Sequence, residues 1–301
     1  MTDITPLHRE PIEHRIQANG IHFCVFEWPG DDDGRPPVLL LHATGFHARC
    51  WDEVIRRLPG RHCYALDTRG HGRTDKLMPA NPWPQAGADA VAIAQAFGLR
   101  GAVAVGHSMG GHALTRAAAA APDAFAALVL IDPVILPRPY YEKNVAEPEK
   151  HFTHRRRAHF ASAEQMYERF QGRPPFDTWD DRVLRDYCEY GLLPAADGHG
   201  FVLACPPAVE ACIYTTAELK ANADIYDAIA RVQTPVRVMR CSRRPTSFDD
   251  FAASPTAPDL ASHFARGEDV VLPGHTHFIP MESPKRVAKA ITTVPLADPA
   301  P

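Results

Sequence analysis

The heptapeptide Val105-Gly106-His107-Ser108-Met109-Gly110-Gly111 is the most informative run in this 301-residue chain. A short apolar stretch, 102–105, leads into it, and the small-residue run 109–121 follows until Pro122 halts it. A brief continuous apolar run bounded by turn residues reads as a strand buried on both faces, and the alanine-rich run reads as a helix. The Gly-x-Ser-x-Gly spacing between them therefore falls at a tight strand-to-helix turn. Such a turn projects the Ser108 hydroxyl into a cleft, and the small residues beside it relieve crowding. Gly110 and Gly111 would let the helix pack close to the sheet. The helix N-terminus adds a field favourable to negative charge, and the Met109 N–H is placed to stabilise an oxyanion. No Gly-x-Gly-x-x-Gly follows the early strands, so a dinucleotide-binding turn is excluded.

The same apolar signature recurs at 38–41, 63–66, 127–131 and 236–239, and more weakly at 269–272. Residues 12–28 read as a hairpin closed by Asn19-Gly20. Ala90, Ile93, Ala94 and Phe97 keep helical spacing ahead of Gly98, a helix-stop residue. Ser283-Pro284 opens a last helix whose inner face is Val287, Ile291 and Val294. Strands alternating with helices predict an α/β fold built on a mostly parallel, doubly wound sheet. The alternation lapses over 137–232, where no buried strand is evident. Ser162-Ala163-Glu164-Gln165 is a capping box there, and further helices are expected near 179–190 and 216–231. Three segments follow: a core from 1–136, a helical cap at 137–232 inserted after the sixth strand, and the rest of the core at 233–301.

Composition narrows the function classes. Thirty-two Lys and Arg against 36 Asp and Glu leave a net charge of −4, which does not suit a nucleic-acid partner. Arg155-Arg156-Arg157 is the only tight basic run and reads as a solvated helix face. No apolar run approaches the ~20 residues that span a bilayer. The opening Met1-Thr2-Asp3-Ile4-Thr5-Pro6 lacks the charge and apolar core of a signal peptide. The seven cysteines are widely spaced with no C-x-x-C, so reduced thiols in a cytoplasmic protein are expected, without a disulfide frame or zinc site. The 29 prolines exceed the roughly 15 of ordinary usage. None falls inside a predicted central strand, so they punctuate elements and do not signal disorder.

From Val38 to Pro284 the chain resembles the α/β-hydrolase superfamily in four separated segments that keep the family's order. His42-Ala43-Thr44-Gly45 is similar to the H-G-x-G loop after the third strand. Asp67-Thr68-Arg69-Gly70-His71-Gly72-Arg73-Thr74 is similar to the D-x-R-G-H-G-x-S segment, and 106–111 to the nucleophile elbow. His277-Phe278-Ile279-Pro280-Met281-Glu282-Ser283-Pro284 is similar to the late histidine loop. Ala43, Thr74 and Thr276 stand where the family usually has Gly, Ser and Gly. The resemblance implies Ser108 as nucleophile and His277, in preference to His275, as general base. It also implies an oxyanion hole from the Thr44 and Met109 N–H groups. His42 reads as a loop organiser and 69–74 as scaffold.

The orienting acid is less well marked. The family usually places it after the strand predicted at 236–239, but 240–247 contains no acid. Asp249 and Asp250 follow, within reach only if the loop folds back. A second location, seen in haloalkane dehalogenases, lies after the preceding sheet strand, and Asp132 occupies it. Asp132 is the preferred acid, with Asp249 or Asp250 as the alternative. The aromatic residues of the insertion (Phe152, Phe160, Tyr167, Phe170, Phe176, Trp179, Tyr187 and Tyr190) could line a pocket, but holding the insertion together is the preferred role for any one of them.

These features imply a serine hydrolase that cleaves a carboxylic ester or related acyl bond of a small molecule through an acyl-enzyme, without a cofactor. His275-Thr276-His277 lacks further ligands at metal-binding spacing, so no metal is expected. Ser at the elbow in place of Asp argues against the dehalogenase and epoxide-hydrolase branches. Carbon–carbon bond hydrolysis and other chemistries share the Ser-His-Asp layout and stay open. So does a non-catalytic small-molecule receptor, because fold alone does not choose among them.

Overall fold

The structure, a computed structural model, describes residues 10–245 and 250–297. Asn19 and Gly20 take the positive φ values, 47° and 80°, that a tight hairpin turn demands. They close β1 (Ile12–Ala18) onto β2 (Ile21–Trp28) with Ala18 opposite Ile21. There follow β3 (Val38–Leu41), the short α1 (Asp52–Ile55) and β4 (Cys63–Leu66). Next come α2 (Pro82–Ala96), β5 (Ala102–His107), α3 (Met109–Ala120) and β6 (Phe125–Ile131). Asn81 caps α2 by accepting the Trp83 N–H, and Gly98 leaves it at φ 59°.

Between β6 and the next strand of the main sheet lies an insertion. It holds β7 (His159–Phe160), α4 (Ala163–Phe170), α5 (Asp181–Tyr190), β8 (Leu192–Pro194), β9 (Phe201–Leu203), α6 (Pro207–Thr216) and α7 (Ile225–Arg231). The main chain then completes β10 (Val236–Cys241), β11 (Gly267–Leu272), α8 (Ile279–Glu282) and α9 (Pro284–Thr293).

The main sheet has eight strands in the order β1-β2-β4-β3-β5-β6-β10-β11. β2 runs antiparallel to both its neighbours, and the pairs from β4 to β11 are parallel. β3, β4 and β6 are apolar at every position because both faces of the sheet are covered. Leu39 and Leu41 of β3 join Leu114 of α3 and Ile229 of α7 on one face. Val38 and Leu40 join Val54 of α1 and Ile291 of α9 on the other. β11 is an edge strand with exposed Glu268 and Asp269, which explains its fainter signature.

The insertion departs from the sequence expectation in three ways. It is not wholly helical, since β7, β9 and β8 form a small antiparallel sheet in that order. Strands of two or three residues are too short to leave a period in the sequence. The helix expected near 216–231 is a 3₁₀ turn, Lys220–Asp224, leading into α7, with α6 placed earlier by Pro206-Pro207. Finally, α7 packs on α3 on the sheet face, although it lies within 137–232. The capping box is present: Ser162 accepts the Gln165 N–H at 3.1 Å, and Gln165 accepts the Ala161 N–H at 2.9 Å.

Candidate active site

β5 delivers Ser108 to the carboxyl end of the sheet in a strained turn, at φ 56° and ψ −115°. Two glycines make that turn possible. A Cβ on Gly106 would sit 2.5 Å from the Gly110 carbonyl, and a Cβ on Gly110 would sit 2.3 Å from the Leu41 oxygen of β3. Helix α3 therefore starts almost in contact with the sheet. The Ser108 N–H donates to the Ile131 carbonyl at 2.9 Å, tying the turn to the end of β6.

His277 lies in the loop between β11 and α8 and is anchored through its own backbone. Its N–H donates to Ala252 O at 2.9 Å, and its carbonyl accepts from His107 Nε2 at 2.9 Å. Glu282 holds the preceding residue by accepting from the Thr276 N–H at 3.0 Å and its hydroxyl at 2.5 Å. The ring is left between two partners. Nε2 accepts from Ser108 Oγ at 3.0 Å, and Nδ1 donates to Asp132 Oδ2 at 2.9 Å. Asp132 is fully buried just past β6, at φ 44°. Its other oxygen, Oδ1, accepts from the Ser254 hydroxyl and lies 3.1 Å from Thr256 Oγ1.

Of the acids weighed from sequence, Asp132 is thus the one on the histidine. Asp250 meets Arg243 at 3.0 Å, and Asp249 lies outside the described residues. His275 donates from Nδ1 to the Pro273 carbonyl at 3.3 Å, away from the serine. Ser254 and Thr256 were missed, and no local pattern could have revealed them. They reach Asp132 across more than 120 residues of chain.

The loop bearing Thr44 is shaped by two buried imidazoles. His42 Nδ1 donates to Ala43 O at 2.7 Å, and its Nε2 accepts the Thr68 N–H at 3.0 Å. His71 Nε2 accepts the Gly45 N–H at 3.0 Å. An accepting nitrogen needs a neutral ring, and burial supplies it: His42 falls well below the usual histidine range and His71 is pushed down to about 4. Side chains of the 67–74 segment fix neighbouring loops and helices. Asp67 accepts the Ala48 N–H at 2.7 Å, and Arg69 grips Asp89 at 2.8 Å. Among the described residues neither the Thr44 nor the Met109 N–H has a protein acceptor.

A cavity of about 750 Å³ opens onto Ser108, His277 and Thr44. Tyr140, His151 and Tyr214 reach it from the insertion, and the residues after β10 form another wall. None of the eight insertion aromatics singled out from sequence lines it. Seven of them make ring–ring contacts instead: Phe170 stacks on Phe176 at 4.4 Å, and Trp179 and Tyr187 pack with Phe46 of the core. The basic run is not a solvated helix face. Arg155 ends a 3₁₀ turn, and Arg156 turns inward to Glu210 at 2.7 Å.

A doubly wound sheet with a serine elbow, a buried imidazole and a carboxylate at its carboxyl edge defines a hydrolase-type scaffold. The Alpha/beta hydrolase family profile matches residues 38–290, and the chain belongs to that family. It is 39% identical to a lipase, LipV, of Mycobacterium tuberculosis over 105 residues, 34% of this chain and 39% of that one. It is 26% identical to a 2-(acetamidomethylene)succinate hydrolase of Mesorhizobium japonicum over 85% of this chain and 87% of that one. A crystal structure of E-2-(acetamidomethylene)succinate hydrolase superposes with a TM-score of 0.71 at 24% identity, covering 94% and 98% of the two chains, which is a likeness of fold. The matches to the first curated relatives span less than half of those proteins' length. Among the described residues no helix is long and apolar enough to cross a membrane.

Proposed function

We propose that this protein is a cytoplasmic serine hydrolase that cleaves a carboxylic ester or related acyl bond of a small molecule. The observation that carries the reading is the continuous relay from Ser108 Oγ through His277 to Asp132, at 3.0 and 2.9 Å, with a cavity open to the serine. Ser108 attacks the carbonyl carbon while His277 Nε2 takes its proton. The oxyanion is held by the Thr44 and Met109 N–H groups. Collapse expels the leaving group, which takes the proton from His277, and leaves the acyl group on Ser108. Water then attacks that ester with His277 again as base, releasing the acid and restoring the serine. Asp132 keeps the His277 proton on Nδ1 and stabilises the imidazolium. The insertion, 137–232, acts as the cap that shapes the acyl pocket. Relatives named as lipase, esterase and hydrolase support the class.

Pre-steady-state hydrolysis of p-nitrophenyl esters tests the acyl-enzyme. A burst of about one p-nitrophenol per protein, absent in Ser108→Ala, is expected wherever deacylation is the slower step. Equal steady-state rates for the wild type and Ser108→Ala would refute the reading.

A further inference from the structure

The walls of the site cavity carry three guanidinium groups, and their pairing is uneven. Arg240 is committed to Asp269 through two contacts of 2.8 Å. Arg243 meets Asp250 at 3.0 Å. Glu218, an acid on the opposite wall, is matched by Lys143 at 2.7 Å. Arg244 alone of these charged residues has no ionic or hydrogen-bonded partner among the described residues, and it is exposed at the cavity's solvent-facing edge. Among the described residues, Arg244 is thus the one cation of the lining without an acidic partner, in a chain whose net charge is −4. The lining of the cavity as a whole is largely apolar, with the aromatic residues Phe46, Tyr214, Phe251 and Phe278.

We propose that Arg244 is a specificity residue for anionic substrates, binding a carboxylate carried by the acyl part of the molecule whose acyl bond is cleaved. The inference rests on the hydrolase reading given above. A guanidinium presents a rigid fork of donors that fits a carboxylate with two parallel hydrogen bonds. A single unpaired cation matches a monoanion. The apolar and aromatic lining of the cavity that Arg244 and Ser108 share accommodates the apolar chain that joins the carboxylate to the reacting carbonyl. A free carboxylate at that end would orient the substrate before attack, so its contribution falls mainly on KM.

Two esters of equal length decide the matter: mono-p-nitrophenyl glutarate, which is charged, and methyl p-nitrophenyl glutarate, which is neutral. The wild type should hydrolyse the charged ester with a kcat/KM about tenfold higher, as expected for a partly desolvated charge-assisted pair. Arg244→Gln should bring the ratio to about one through KM, Arg244→Lys should keep part of it, and high salt should shrink it. Arg155→Gln removes the same charge from an exposed site outside the cavity and should keep the preference. A wild-type ratio of one, or a ratio that survives Arg244→Gln, overturns the proposal while the hydrolase reading stands. Calorimetry of Ser108→Ala protein with monomethyl glutarate separates the opposite case. Binding that requires Arg244 without turnover of either ester upholds the carboxylate site and refutes the hydrolase. Neither binding nor turnover refutes both.

Discussion

Asp132 is the residue on which the site turns, and its position is unusual enough to be tested by itself. It follows β6, one strand earlier in the sheet than the location the family more often uses. Asp132→Asn should lower kcat by about 10⁴-fold with little change in KM, because the amide favours the wrong imidazole tautomer. Asp250→Asn should keep near-wild-type kcat, since Asp250 faces Arg243 and not His277. Ser254 accepts the Thr256 N–H at 3.3 Å, so its own proton points to Asp132 Oδ1. Ser254→Ala should therefore cost about tenfold in kcat, measured on any ester the wild type turns over. Sequence led to Ser108 and His277 because each sits inside a local motif whose spacing has a physical reason. It left the acid divided between Asp132 and Asp249 or Asp250 because loop path decides reach, and a loop path has no periodicity. The support from Ser254 is invisible at that level for the same reason.

At the scale of elements, the elbow depends on close approach between α3 and β3. Gly110→Ala would drive a methyl group into the Leu41 carbonyl, so the helix must shift. Soluble protein with a lowered Tm and lost activity is the expected result, read by thermal melts and ester assay. A second element contact is tuned by pH. Asp186 of α5 lies near Asp52 and Glu53 of α1, with one carboxylate oxygen unpartnered among the described residues. Burial and then the Asp52 charge push its carboxyl up to about 7, from an ordinary 3.8. The native state therefore holds a proton that the unfolded chain releases between about pH 4 and 7, and stability falls as pH rises through that window. Asp186→Asn should raise Tm by a few degrees at pH 8 and leave it unchanged near pH 4. The long central strands were legible because burial on both faces writes an unbroken apolar run. β7, β8 and β9 were not, because two or three residues carry no period.

For the molecule as a whole, a partly buried ion pair inside the insertion lies against the core loop at Gly45. Arg156 and Glu210 meet at 2.7 Å, and Glu210 Oε1 lies 3.2 Å from where a Cβ of Gly45 would stand. The pair thus seats the insertion against the loop that presents Thr44. Glu210→Ala leaves the partly buried Arg156 guanidinium with only the Tyr187 hydroxyl and should cost about 1–3 kcal/mol in chemical denaturation. The double variant Arg156→Met/Glu210→Leu should recover most of that loss. Composition alone read Arg155-Arg156-Arg157 as a solvated face, since a charge run does not reveal which of its members finds a buried partner.

The proposed reaction rests on Ser108 as a covalent nucleophile, and intact-protein mass spectrometry after fluorophosphonate treatment tests it directly. A single adduct should map to Ser108 in the wild type, with ester hydrolysis lost in parallel. Ser108→Ala should take no adduct and hydrolyse esters at least about 10⁴-fold more slowly. An adduct that persists in Ser108→Ala, or turnover by that variant at the wild-type rate, would contradict the assignment.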